Sequence, residues 1–593
     1  MNGRTGNPRL DTFHQQTLSR LKMLYSADIA ESVADQLVAD LQHAGVDSEP
    51  AACRPWSQAD VILITYGNSI INTKTNPLQV LQRFLADRLS GLVSTVHILP
   101  FFPFSSDDGF SVIDYYRVNP ELGSWDDVAA IGEQFDLMFD LVINHVSSES
   151  DWFKDFLAQR LPAAEYFITA DPATDLSEVV RPRQSPLLTA VETSAGTRHV
   201  WTTFSADQVD LNFSNPEVLL EMIRVLLFYL QQGSRFIRLD AVAFLWKELG
   251  TNCINLPQTH EVVKLLRELM ELAAPQSVLL TETNLPPLQN RSYFGDSDEA
   301  HMVYQFSLAP LLLHGLFRGN SRYLYAWARG GCVAPLGCTF LNFTASHDGV
   351  GLRPLEGLLP DAELALLLNG MQEFGALISS RTKPDGTEAP YEINIGYFDA
   401  LSGTWLGRDC WQVARFLLAQ TLMLGLRGIP ALYIHSLLAT PNDYDGVKAT
   451  GRARAINRRS LQYDELSEQL ADDASSQSRV FRELRRRLEL RKEQPVFHPD
   501  ARQEVIPVGD SLFAFWRYSL DGSQRLLAVH NMTDQQQRLY LDGSLDGQLT
   551  GDWIELLEGN SLQNPQTVLP LAPYQVLWLS QTEEKGSRSQ VPG

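Results

Sequence analysis

The chain has 593 residues, 44% of them hydrophobic and 10% aromatic, which suits one large catalytic domain with smaller modules attached. A formal net charge of −23 argues against anionic partners, since nucleic acid calls for a basic stripe and anionic lipid for a polybasic patch. The five cysteines, Cys53, Cys253, Cys332, Cys338 and Cys410, are odd in number and form no CxxC pair, so buried free thiols in a reducing compartment are expected.

In chain order, Met1-Asn2-Gly3-Arg4-Thr5-Gly6 carries no apolar signal core, and no later window offers the ~18 uncharged apolar residues of a membrane span. The expectation is a soluble, cytoplasmic protein that binds neither nucleic acid nor membrane. Residues 1–56 read as an N-terminal helical extension. From Leu10 to Ala44 the apolar positions Leu18, Leu21, Leu24, Ile29, Val33, Leu37 and Leu41 have helical spacing, and two amphipathic helices fit them as a cap outside the catalytic unit.

From about residue 60, β-prone apolar runs alternate with helical ones. The strand candidates are Val61–Tyr66, Thr95–Phe101, Leu137–Asn144, Phe236–Val242, Val278–Glu282, Met302–Phe306, Thr339–Thr344 and Ala431–Ile434. Helical runs such as Pro216–Gln231, Glu261–Leu272 and Cys410–Leu424 separate them. This alternation predicts an α/β fold, a (β/α)8 TIM barrel over residues 57–495. Two stretches are too long for plain barrel loops. Residues 146–205 and 349–408 are read as inserted lid domains, both leaving from one rim.

The helix over 480–496 carries the cluster Arg485-Arg486-Arg487, expected to be a solvated face. After Pro495 the pattern changes to short alternating strands, beginning with Leu512-Phe513-Ala514-Phe515-Trp516. A C-terminal antiparallel β-domain is predicted over 496–581, followed by a disordered tail over 582–593.

Three carboxylates stand where strand candidates end: Asp240 after Phe236-Ile237-Arg238-Leu239, Glu282 after Val278-Leu279-Leu280-Thr281, and Asp348 after Phe343-Thr344-Ala345-Ser346-His347. A buried parallel strand that delivers a side chain to its C-terminal rim reads in this way. One Asp at a strand end is ordinarily a turn or cap residue. Three acids in register with Arg238, His145 and His347 suit glycoside chemistry, in which one carboxylate attacks and another moves a proton. His97, in mid-strand, reads as a core histidine and Trp125 as helix-start packing. No His/Asp cluster has metal-ligand spacing.

Asp140-Leu141-Val142-Ile143-Asn144-His145, Arg238-Leu239-Asp240, Thr281-Glu282-Thr283 and Ser346-His347-Asp348 resemble, in order, the four signatures of the α-amylase family of glycoside hydrolases. Leu63-Ile64-Thr65-Tyr66, His97-Ile98-Leu99-Pro100-Phe101-Phe102, Asp107-Asp108-Gly109-Phe110, Leu122-Gly123-Ser124-Trp125-Asp126-Asp127, Arg181-Pro182-Arg183 and Ile456-Asn457-Arg458 resemble its sucrose phosphorylase branch. The N-terminal extension is more like the phosphorylases of that branch acting on glucosylglycerate, glucosylglycerol or sucrose 6-phosphate.

The resemblance implies a retaining phosphorylase that takes a small-molecule α-glucoside and inorganic phosphate, needs no cofactor, and is a monomer or homodimer. Asp240 would be the nucleophile, kept ionised by Arg238, which is itself placed among the substrate-binding residues. Glu282 would be the acid/base, its pKa raised by burial beside other acids, with its carboxyl about 5 Å from that of Asp240. Asp348 would stabilise the transition state. Asp107, Phe110, His145, His347 and Arg454 would hold the glucose, and Arg183 with Tyr391 the phosphate. On the acceptor side the chain departs from sucrose phosphorylase at Phe244, Asn284, Ala389 and Glu392, which argues against plain fructose. A Glu392 facing the pocket would repel an anion, ranking glucosylglycerol ahead of glucosylglycerate and sucrose 6-phosphate, although Arg353 would reverse that order. Sucrose phosphorolysis, or glucosidase or transglucosidase activity, are the alternatives. A non-catalytic binding subunit is disfavoured by the intact acids.

Overall fold

The computed structural model describes residues 7–45, 56–331, 333–383, 386–540, 552–563 and 568–582. Cys53, Cys332 and the tail from residue 583 lie outside these.

Eight parallel strands close into a barrel in chain order: β1 (Ile62–Thr65), β2 (Thr95–Ile98), β3 (Asp136–Val142), β4 (Ser234–Asp240), β5 (Val278–Thr281), β6 (Met302–Tyr304), β7 (Thr339–Phe343) and β8 (Ile429–Tyr433), which pairs back to β1. These are the eight runs picked out by apolar content. They are buried on both sides, so their sequences are continuously apolar instead of alternating. Most stop short of the apolar run because the chain leaves the ladder to form the rim. The last begins earlier than read, at Ile429, and carries Pro430 inside the ladder, where proline normally argues against a strand.

The N-terminal helices α1 (Pro8–Leu24) and α2 (Ala27–His43) pack on two barrel helices, α3 (Pro216–Gln231) and α4 (Pro257–Ala273). Arg20 joins α1 to α4 through Glu268 at 2.7 Å and Glu261 at 3.1 Å, and Arg224 joins α3 to Asp40 at 3.2 Å. Leu10, Phe13, Leu21 and Leu37 belong to the same apolar core as the barrel. The extension is therefore continuous with the catalytic body and not a cap set apart from it.

After β3, strand 145–147 pairs with 208–210 and a hairpin joins 188–193 to 196–201. After β7, strands 350–351, 388–394 and 377–382 form a small sheet above the rim, in which Gly351 faces Glu392 and Val350 faces Ile393.

At the C-terminal end, a six-stranded antiparallel sheet runs from Arg502 to Thr582 with interruptions. Its strand Leu512–Tyr518 alternates between two cores. Phe513 and Phe515 join the barrel core, while Leu512, Ala514 and Trp516 face a separate core with Trp553 and Leu527.

The basic cluster on helix Ser476–Lys492 is not uniformly solvated. Arg487 is buried, donating to Thr421 Oγ1 at 2.8 Å and pairing with Glu483 at 2.5 Å, and Arg491 on the same helix is fully buried, donating to Leu424 O at 2.8 Å. Cys253 and Cys338 are buried free thiols, whereas Cys410 is exposed. Among the described residues, no helix is long and apolar enough to cross a membrane.

Candidate active site

The barrel register brings the acids together. Arg238 on β4 stands beside Asp140 on β3 and Leu280 on β5, and Asp240 stands beside Val142. The Glu282 N–H donates to Leu239 O at 3.1 Å, which places Glu282 next to Asp240 on the neighbouring strand, ~4.8 Å away by the usual strand spacing. Directly after Asp240, Ala241 adopts a left-handed conformation (φ 55°) that a residue with a Cβ rarely takes. That turn aims its N–H at Glu282 Oε2, 3.2 Å away.

The acids open into a cavity of about 680 Å³, counted out to its mouth. Of the residues singled out from sequence, Asp107, Phe110, His145, Arg183, Asp240, Phe244, Glu282, Asn284, His347, Asp348, Tyr391 and Arg454 line it. Arg238 and Glu392 do not. Both were expected to touch substrate, yet both are buried behind the wall and engaged with other charges. Sequence reasoning missed Phe204 and Gln208, which line the cavity from the segment after β3. Gln208 donates to Phe110 O at 3.1 Å and lies 3.2 Å from His145 Nε2. No periodicity marks either residue.

Behind Asp240 runs a buried polar chain. His97 Nε2 meets Asp140 Oδ2 at 2.7 Å, Asp140 bonds Arg238, and Arg238 Nη1 donates to Asp240 Oδ1 at 2.7 Å. Burial alone would raise Asp140, but His97 and Arg238 bring it down to about 2. His97 is therefore a buried, partnered histidine as read, and it is also the far end of the chain that orients Asp240.

A second network holds Asp348. Arg454 Nη1 lies 2.6 Å from Asp348 Oδ1, while Arg454 Nη2 and Nε grip Glu392 at 2.9 and 3.0 Å. Burial works against the Asp348 charge, but Arg454, His347 and Arg458 hold its pKa well below the usual carboxylate range. Arg458 donates to His347 O at 2.8 Å and pairs with Asp108 at 2.7 Å. The His347 ring stacks on Phe110 with centroids 4.7 Å apart and planes within 5°. His145 Nε2 lies 2.9 Å from Phe110 O, so any ligand contact by that nitrogen must share it.

At the other end of the cavity, Phe244 packs edge-on against Phe204 at 5.4 Å, and the Arg183 guanidinium lies over the Tyr391 ring at 5.2 Å.

Of the three converging acids, Asp240 and Glu282 are the two whose pKa stays high. Burial pushes Asp240 up, and the charges of Glu282, Asp140 and Asp348 add to this against the pull of Arg238. Burial likewise raises Glu282, with Asp348 adding and Arg238 opposing. Two raised carboxyls beside one guanidinium favour one proton between them. Arg238 touches Asp240 and not Glu282, which favours the charge on Asp240 and the proton on Glu282. Among the described residues, no three His, Cys, Asp or Glu gather into a metal-binding group.

A parallel eight-stranded barrel with three acids converging on its C-terminal rim is the architecture of glycoside-active barrel enzymes. The alpha-amylase catalytic domain profile matches residues 89–315. The glucosylglycerate phosphorylase of Spirochaeta thermophila is 45% identical over 556 residues, covering 91% of this chain and 93% of the relative. That of Escherichia coli K12 is 43% identical over 567 residues, covering 95% and 100%. The crystal structure of sucrose 6F-phosphate phosphorylase from Thermoanaerobacter thermosaccharolyticum superposes with a TM-score of 0.70 at 26% identity, covering 80% of this chain and 94% of that one. The chain belongs to the α-amylase family, in its sucrose phosphorylase-like branch of glycoside phosphorylases.

Proposed function

We propose that this protein reversibly phosphorolyses glucosylglycerate, giving α-D-glucose 1-phosphate and glycerate. The observation that carries this reading is the identity of 45% and 43% to two glucosylglycerate phosphorylases across almost the whole chain.

Asp240 attacks the anomeric carbon while Glu282 donates its proton to the glycosidic oxygen. Glycerate leaves, and a β-glucosyl ester forms on Asp240. Inorganic phosphate then enters. Glu282 takes its proton as a phosphate oxygen attacks the anomeric carbon, which releases Asp240 and yields the α-configured sugar phosphate. Arg238 stabilises the Asp240 carboxylate as it is released. Asp348, held ionised by Arg454, faces the positive charge that develops on the sugar ring. Asp107, His347 and Arg454 select the glucose hydroxyls, and Phe110 packs the ring together with its stacked partner His347. Arg183 and Tyr391 receive the phosphate.

The pairing of Glu392 bears on the acceptor. It is bound at both oxygens by Arg454 and lies outside the cavity wall, so it has no unpaired charge with which to repel an anion. The reason for ranking glycerol first thus falls away, and glycerate moves ahead of glycerol and of fructose 6-phosphate. We also place the enzyme in the cytoplasm, in keeping with free Cys253, Cys338 and Cys410, and take it to be a monomer or homodimer.

The test is the synthetic direction. Purified enzyme is incubated with α-D-glucose 1-phosphate and glycerate, glycerol, fructose or fructose 6-phosphate, and phosphate release is followed. Glycerate is expected to give the highest kcat/KM. A preference for any other acceptor overturns the assignment, and release equal to that in water alone turns the reading to hydrolysis.

A further inference from the structure

The acceptor end of the cavity contains buried polar atoms without partners. Arg353 lines the cavity and is 9% exposed, its guanidinium makes no hydrogen bond among the described residues, and its Nε is fully enclosed. Its one carboxylate neighbour among the described residues, Glu356, stands 3.8 Å away, half in solvent, and is held at 2.9 Å by Arg381. Burial pulls the Arg353 pKa below the ordinary arginine value, a cost that Tyr391 and Glu356 offset only in part. A buried guanidinium without a paired anion is costly to keep, unless an anion arrives with the ligand.

Asn284 also lines the cavity, and its Oδ1 is enclosed without a donor. Its position is tightly set. Gly351 lies directly against it, and a Cβ at 351 would come within 2.7 Å of Asn284 Oδ1. Gly351 belongs to the small sheet above the rim, two residues before Arg353, so one segment both carries the guanidinium and presses on the amide.

We infer that Arg353 and Asn284 form the acceptor-recognition pair, Arg353 binding the carboxylate of the leaving group and Asn284 Oδ1 accepting from one of its hydroxyls. The juxtaposition of an orphaned cationic donor and an orphaned neutral acceptor matches a short hydroxy acid, which offers a carboxylate and adjacent hydroxyl groups. A neutral polyol would satisfy Asn284 and leave Arg353 unpaired. The two guanidiniums at this end then divide their tasks: Arg183, stacked on Tyr391, serves phosphate, and Arg353 serves the organic acid. This assignment rests on the glycerate reading above and deepens it.

The experiment compares wild type, Arg353→Gln and Arg353→Lys in the synthetic direction, with α-D-glucose 1-phosphate and either glycerate or glycerol. The quantity read is the ratio of kcat/KM for glycerate to that for glycerol. Each ratio is taken within one protein sample, so partial misfolding cancels. In Arg353→Gln the ratio is expected to fall by about 100-fold, the scale of one lost charge-assisted pair, and Arg353→Lys to recover a part of it. A ratio within threefold of wild type in Arg353→Gln overturns the inference. So does an equal loss with both acceptors accompanied by a raised KM for phosphate in the forward direction, which would make Arg353 a phosphate ligand. A wild-type enzyme that does not prefer glycerate overturns the functional reading itself, and this pair with it, before any variant is made.

Discussion

At the glucose end of the cavity, Asp240, Asp348, Glu392, Arg238, Arg454 and Arg458 are tied into two networks of ion pairs. At the acceptor end, Arg353 has no carboxylate closer than 3.8 Å, Asn284 Oδ1 has no donor, and Arg183 is held by ring stacking alone among the contacts described for it. The two halves solve different problems. The glucose half must hold charges in fixed places through both displacement steps, and internal pairing fixes them without help from substrate. The acceptor half must receive two chemically different anions in turn and release each of them. Groups left unsatisfied by the protein give a strong preference for a ligand that satisfies them, because a wrong ligand leaves them buried and bare.

The largest effect expected from breaking the glucose half is chemical. Asp240→Asn removes the nucleophile, and phosphate release from α-D-glucose 1-phosphate should fall by ~10⁴-fold or more, as when a nucleophile is lost in other covalent enzymes. Activity above a tenth of wild type would mean that another group attacks.

The next effect is on folding. Arg454→Met strands both Asp348 and Glu392, and should cost ~3 kcal/mol of stability, the scale of breaking a buried ion pair. Chemical denaturation would measure it. Arg454→Met combined with Glu392→Gln should recover part of the loss, and purely additive effects would show that the two side chains are not coupled.

A smaller effect depends on pH. Glu282 has a folded pKa above its ordinary value of 4.5, chiefly through burial, so its stabilising share is complete below that value and is lost as pH rises through the folded pKa. Glu282→Gln, which does not titrate, should therefore raise the melting temperature at pH 7, with the gain disappearing near pH 4. A gain that persists undiminished at pH 4 would contradict the raised pKa.

The smallest effect sharpens the acceptor half. Gly351→Ala should displace Asn284 and raise KM for glycerate several-fold, on the order of one weakened neutral hydrogen bond, while the glucose half stays as it is. An unchanged KM would remove Asn284 from the acceptor site.

Much of the architecture was readable because parallel barrel strands are buried on both faces. Their apolar runs located β1 to β8, and three of those runs lead into the rim acids Asp240, Glu282 and Asp348. The same logic failed for groups whose partners lie far away in the chain. His97 is 43 residues from Asp140, Arg454 is 62 from Glu392, and Arg487 is 66 from Thr421. Nothing in the local pattern around these residues distinguishes a paired charge from a free one.

The sequence by itself determined the barrel, the order of its strands and the acids at its rim, because periodicity and burial are written into neighbouring residues. Only the tertiary structure decided which charges cancel and which remain. Glu392 turned from an exposed repulsive group into half of an ion pair, and Arg353 became a buried cation whose neighbouring carboxylate, Glu356, stands 3.8 Å away and is held more closely by Arg381. The physical reason is that an electrostatic role depends on distance through space and on burial, and both are set by contacts between segments that the chain itself keeps far apart.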